Sequence, residues 1–198
     1  MKKRFLPFAI CLSVISISCN NTGDNNNTAA DSPSLKGPDS ANQNNTNTTM
    51  NNTPLSKDDS TFVMEAAVGG MMEVEAGQLA QQNAANERVK NYGAMMVADH
   101  SKSNDELRSF ASSRGMSLPA QLPEDVQKHI DAMKTRKSKA FDSHYMAMMN
   151  DDHRKTIDLF QKQANSGGDA QLKSWAQNTL PVLQKHMDSV QAIRKGIK

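Results

Sequence analysis

The chain has 198 residues, with 23 Lys or Arg against 21 Asp or Glu, five His, 13 Met and two Cys. Its formal charge of +2 disappears once Lys2, Lys3 and Arg4 are set aside, leaving 20 basic against 21 acidic residues. A nearly neutral body carries no electrostatic footprint for nucleic acid. Both cysteines precede residue 20, so the remainder has no disulfide, thiolate metal site or cysteine nucleophile.

Residues 1–18 read as a signal peptide: Lys2-Lys3-Arg4 is a basic head, and Phe5 to Ser18 is apolar with small residues towards its end. The stretch is shorter than the roughly 20 apolar residues that span a bilayer. Cys19 follows Ser16-Ile17-Ser18, which resembles a bacterial lipoprotein signal with Cys19 as the lipidated residue. Ser16 departs from the Leu or Val usual at that place, and the rival reading is ordinary secretion with cleavage nearby. Membrane contact is then made by acyl chains, at about 0.8 kcal/mol per buried CH₂. Residues 19–56 are rich in Asn, Thr, Ser and Asp and nearly free of large apolar side chains, so they are expected to be a disordered tether.

Residues 57–198 are the length of one domain. Ala, Met, Gln, Lys and Leu dominate, and no run alternates as a strand would, so the domain is expected to be all-α. A first helix is predicted from Asp58 to Asn83, capped by Ser56 or Asp58, with Phe62, Ala66, Gly69, Glu73, Ala76 and Ala80 as its inner stripe. A second runs from Asn86 to Arg114 with Val89, Gly93, Met96, His100, Ser103, Leu107 and Phe110 inside, and Gly115 closes it. Pro119 and Pro123 break the next stretch, in which Glu124 to Met133 makes a short helix. The third long helix, Ser138 to Asn165, places Met146, Met149, His153, Ile157, Phe160 and Ala164 on one stripe and ends at Gly167-Gly168. The fourth, Asp169 to Arg194, aligns Leu172, Ala176, Thr179, Leu183, His186, Val190 and Ile193, and Pro181 is expected to kink it.

An internal repeat organises these helices. Tyr92-Gly-Ala-Met-Met-Val-Ala-Asp-His100 and Tyr145-Met-Ala-Met-Met-Asn-Asp-Asp-His153 agree at Tyr, Ala, both Met, Asp and His, and contain the chain's two tyrosines. Glu73, His100, His153 and His186 each fall about 15 residues into a helix, hence near mid-length at 1.5 Å per residue. The long connection between the second and third long helices allows them to run parallel and to present the repeat at one height. One long crossover is the connectivity of ferritin-like four-helix bundles.

A carboxylate and three imidazoles aimed at one core are costly unless paired or ligated. Glu73, His100, His153 and His186 are therefore candidate metal ligands, suited to iron, zinc or copper. Met96 and Met149 precede the repeat histidines by one turn and are possible soft ligands that would favour Cu(I). Asp99 and Asp152, about 100° round the helix from those histidines, are candidates for outer partners that orient the ligands, as are Tyr92, Tyr145 and Asp142. His129 and His144 fall off the inner stripes and are expected at the surface. No Glu-x-x-His or Asp-x-x-His occurs, which counts against iron storage or oxygen activation. The same polar residues could equally hydrogen-bond each other and fix helix register.

The ordered set Phe62, Glu73, Gly77, Leu79-Ala80, Met96, Asp99-His100, Leu118-Pro119, Phe141-Asp142, Tyr145 through His153, Leu180-Pro181 and His186 resembles the domain of unknown function 4142 family. The resemblance covers residues 58–195. It implies a ferritin-like four-helix fold in an exported or envelope protein of bacteria, and no settled activity. The leading expectation is a lipid-anchored envelope protein, not an enzyme, that binds a transition metal. The alternatives are a structural or interaction module without metal, and a degenerate di-iron redox enzyme.

Overall fold

A computed structural model describes residues 54–197. The signal segment, Cys19 and the tether as far as residue 53 lie outside the described residues, as does Lys198. Five helices follow one another: α1 (Lys57–Asn83), α2 (Glu87–Ser113), α3 (Glu124–Lys134), α4 (Ser138–Ser166) and α5 (Ala170–Gly196). No strand occurs among the described residues.

Short polar side chains start three of the long helices by accepting backbone N–H groups that have no partner within the helix. Ser56 accepts from Asp59 N, Asn86 from Arg88 N, and Asp169 from both Gln171 N and Leu172 N. α2 ends as its sequence implies: Gly115 adopts φ 69°, which lets Gly115 N and Met116 N reach back to the carbonyls of Ser112 and Ala111. The glycine pair after α4 serves differently. Gly167 has φ −57°, and Gly168 is needed because a Cβ there would lie 2.9 Å from Asp59 Oδ2. α5 continues through Pro181, whose ring removes one hydrogen bond from an otherwise unbroken helix.

The topology follows from what ties the helix ends together. Asp142, near the start of α4, accepts from Ala85 N and Asn86 N in the α1–α2 turn, both at 3.0 Å. Asp59, in the first turn of α1, does the same for the α4–α5 turn, accepting from Gly168 N and Asp169 N at 3.1 Å. Each carboxylate is buried and binds the far hairpin, so α1 and α4 run antiparallel. Arg114, just past α2, pairs with Asp169 at the start of α5 at 2.8 Å, so α2 and α5 run antiparallel as well. α2 and α4 are therefore parallel, which the crossover makes possible. α3 lies in that crossover and packs on α1, burying Ile130 and Met133 completely.

Two apolar clusters fill the bundle. One gathers Ala80, Val89, Met96, Ile130, Phe141, Tyr145 and Val190; the other gathers Phe62, Val63, Leu107, Phe160, Leu172 and Leu183. On each long helix the polar residue falls between them in sequence: Glu73, His100, His153 and His186 form a layer that separates the two.

The inner stripe of α1 sits one residue from the predicted one in its first half, with Ala67 and Gly70 buried and Ala66 and Gly69 only partly so. The reason is the contact with α2. A Cβ on Gly77 would lie 2.7 Å from Gly93 O and one on Gly70 would lie 2.3 Å from Asn104 Oδ1, so the glycine face turns towards α2. Ser103, Phe110, Ile157 and Thr179, predicted inside, are half-buried at the margins of their stripes.

Candidate metal centre

The three histidines come together. His100, His153 and His186 are buried, and each offers a ring nitrogen within 4.8 Å of those of the other two. Their ring centroids are 5.3 to 5.8 Å apart. An ion 2.0–2.1 Å from three imidazoles needs nitrogens about 3.5 Å apart, so ligation asks for a contraction of an ångström or so.

Each ring is held by one nitrogen. His100 Nδ1 lies 3.0 Å from Glu73 Oε2. His153 Nδ1 lies 3.1 Å from the carbonyl of Met149 and 3.4 Å from Glu73 Oε1, the second contact lacking hydrogen-bond geometry. His186 Nε2 lies 2.8 Å from Asp99 Oδ2. All of these partners are acceptors, so each of these nitrogens carries the proton. On His153 and His186, which stay neutral, the opposite nitrogens are then bare; His100, paired as a cation with Glu73, carries a proton on Nε2 too. His100 Nε2 is buried without a partner, and His153 Nε2 faces His186 Nδ1 at 3.2 Å. Two lone pairs at that distance repel unless a proton or a cation lies between or beside them.

The charges fall in a consistent order. Burial alone would raise the Glu73 carboxyl, but the charge and hydrogen bond of His100, with His153 and His186 beyond, hold it at about 2. His100 is held above the usual histidine range: burial opposes its charge, and Glu73 overrides burial. Burial pushes His153 down against the pull of Glu73, with His100 adding to the fall. Burial takes His186 to about 4 in spite of its bond to Asp99. The layer thus holds one ion pair, Glu73 with His100, and two neutral imidazoles whose lone pairs are available.

The outer residues divide. Asp99 lies on α2 yet orients His186 of α5 and not its sequence neighbour His100. Asp152 is half-buried and pushed up to about 6, mainly by burial and by the charge of Glu73, and its Oδ2 has no partner. Tyr92 and Tyr145 stack edge-to-face at 6.1 Å, Tyr92 sits 6.4 Å from the His153 ring, and both hydroxyls are buried without partners. Burial and the charge of Glu73 raise both phenols, so they remain protonated. Asp142, predicted beside the site, instead spends both oxygens on the α1–α2 turn, three residues before Tyr145 on α4. Met96 and Met149 are completely buried in the apolar cluster that contains Tyr92 and Tyr145. His129 is exposed and His144 partly so; His129 Nε2 contacts Met148 Sδ at 3.0 Å.

A small cavity reaches this layer from the side. It is bordered by His100, His186, Glu73, Asp99 and Gly69 among residues of all four long helices, and leaves about 40 Å³ for water-sized molecules. The sequence gives no sign of it, because its walls come from residues at the edges of four separate stripes.

The donor set does not fit a di-iron centre. Such a centre takes a carboxylate from every helix and two Glu-x-x-His pairs. Here one buried glutamate and one half-exposed aspartate are both engaged with imidazoles. Three rings each oriented by an acceptor fit one ion instead.

No curated protein matches the chain. Among solved structures, a protein described as secreted, DUF305 from Streptomyces coelicolor, is similar in fold. It has a TM-score of 0.62 and 11% identity, over 71% of this chain and 92% of that one. The profile of DUF4142, a domain of unknown function, matches residues 44–193, three quarters of the sequence and nearly all of the described helices. The chain belongs to the DUF4142 family.

Proposed function

We propose that the protein is an exported, lipid-anchored envelope protein whose helical domain binds one transition-metal ion through His100, His153 and His186. The observation that carries this reading is the convergence of three imidazole nitrogens, bare on His153 and His186 and freed on His100 once a metal displaces its proton, on rings fixed from behind by Glu73, the Met149 carbonyl and Asp99. Neutral imidazoles without a thiolate suit zinc and copper, and also iron. Glu73 then acts through His100, as the carboxylate that orients it and supplies compensating charge. Location rests on the signal-like N-terminus with Cys19 as the lipidated residue. No described helix is long and apolar enough to cross a membrane.

The test is stoichiometry. The full chain, purified without a histidine tag, is dialysed against Zn(II) or Cu(I) and analysed for bound metal. The expected result is one ion per chain, lost in His100→Ala and His153→Ala and kept in His129→Ala. A chain that takes up neither ion overturns the reading.

The buried Glu73–His100 ion pair favours a second reading, in which the polar layer only fixes helix register. It predicts that melting is the same with and without metal.

A further inference from the structure

We infer that the ion held by the three histidines keeps an open coordination position towards the side cavity, where a small exogenous ligand binds. The inference rests on the metal-site reading and names what that site would take: water, or an anion of two or three atoms.

The argument starts from the number of donors. Among the described residues the cluster able to hold an ion consists of three imidazoles. Zinc sites closed for structural purposes have four protein ligands, whereas sites that react or exchange have three and leave one place free. A cavity adjoins two of the three rings, which is where a fourth ligand would enter. His100, the ring whose Nε2 lacks any partner, borders the cavity together with His186, and His100 is the most exposed of the three rings at 7% against 0% for His153. One water needs about 10–15 Å³ of such space, so about 40 Å³ admits a water or a triatomic anion and excludes a larger metabolite.

Gly69 supports the same conclusion. Glycine in mid-helix is unfavourable, and the other glycines inside the bundle have steric reasons. Gly70 makes room for Asn104, and Gly77 and Gly93 let α1 and α2 approach. A Cβ on Gly69 would meet nothing within 4 Å, so no neighbour requires the glycine. What its missing side chain does is leave the wall of the cavity open.

The experiment uses the full untagged chain loaded with Co(II), whose visible spectrum reports coordination number and ligand type, and azide as the added ligand. One Co(II) per chain and a saturable spectral change with azide are expected. In Gly69→Leu, Co(II) uptake is expected to stay at one per chain while azide binding weakens at least tenfold. If Co(II) binds and azide leaves the spectrum unchanged, the site is closed and the inference fails while metal binding stands. If azide binds equally well in Gly69→Leu, the cavity is not the route and the inference fails. If no Co(II) is taken up, no open position receives azide and the inference fails; the metal-site reading falls with it only if Zn(II) and Cu(I) are refused as well.

Discussion

His153 Nε2 faces His186 Nδ1 at 3.2 Å while the opposite nitrogen of each ring is committed to an acceptor, a carbonyl for His153 and a carboxylate for His186. Three hydrogen-bond gaps therefore share two protons if both rings are neutral. A third proton would complete the chain, but burial holds both rings below the ordinary value of 6.5, His186 at about 4. A cation is the other way to resolve the conflict, and two imidazoles that resist protonation keep their lone pairs for it.

This relationship sets a pH dependence. Between about 4 and 6.5 the unfolded chain binds protons that His153 and His186 refuse in the fold. Stability of the metal-free protein should therefore fall as pH drops through that window. Glu73, ordinarily 4.5 and held at about 2, adds a further loss below 4.5. His100 has the opposite sign: its contribution is complete below 6.5 and is lost as pH rises through its elevated folded value. Melting temperature at constant ionic strength should peak near neutrality, and His186→Gln should flatten its acid side. An acid limb unchanged in that variant would contradict the assignment.

Glu73→Gln keeps the shape of the side chain and removes its charge. If Glu73 orients His100 without touching the ion, zinc affinity should fall by about 10- to 100-fold with stoichiometry kept at one. Titration against a competing chelator measures this, and complete loss of binding would make Glu73 a ligand in its own right.

Asp59 and Asp142 clamp opposite hairpins, each with both carboxylate oxygens. Asp142→Ala strands two backbone N–H groups and should cost about 3 kcal/mol. Asp59→Ala should cost as much, since it also loses Gln163 and Ser56. The carboxyl of Asp59 is lowered, burial opposing and those hydrogen bonds prevailing, so its contribution is lost as pH falls below 3.8. Urea unfolding of both variants checks the magnitudes. Metal stoichiometry should survive in Asp142→Ala, because that carboxylate serves a turn.

The glycines of α1 and α2 should answer differently to one added methyl. Gly77→Ala and Gly93→Ala drive a Cβ to 2.7 Å from backbone or side-chain atoms of the partner helix and should destabilise by about 1–3 kcal/mol. Gly69→Ala meets nothing and should stabilise by about 0.5–1 kcal/mol through helix propensity. Thermal or urea melts of the three variants settle the order.

Helix number, type and approximate ends were determined by sequence alone, because Ser56, Asn86, Asp169 and Gly115 act on the backbone within a turn of themselves. The depth of Glu73, His100, His153 and His186 was legible too, since a helix rises by a fixed amount per residue. Rotation about each helix axis was not. The face of α1 shifted by a residue to let Gly77 meet Gly93, and that depends on a partner helix the local pattern does not contain. The same rotation decided that Asp99 reaches across to His186, that Asp142 serves a turn, and that four stripe edges enclose a cavity. Contacts between residues 87 or 57 positions apart are fixed by packing angle and by the sum of side-chain volumes between helices, which only the assembled bundle specifies.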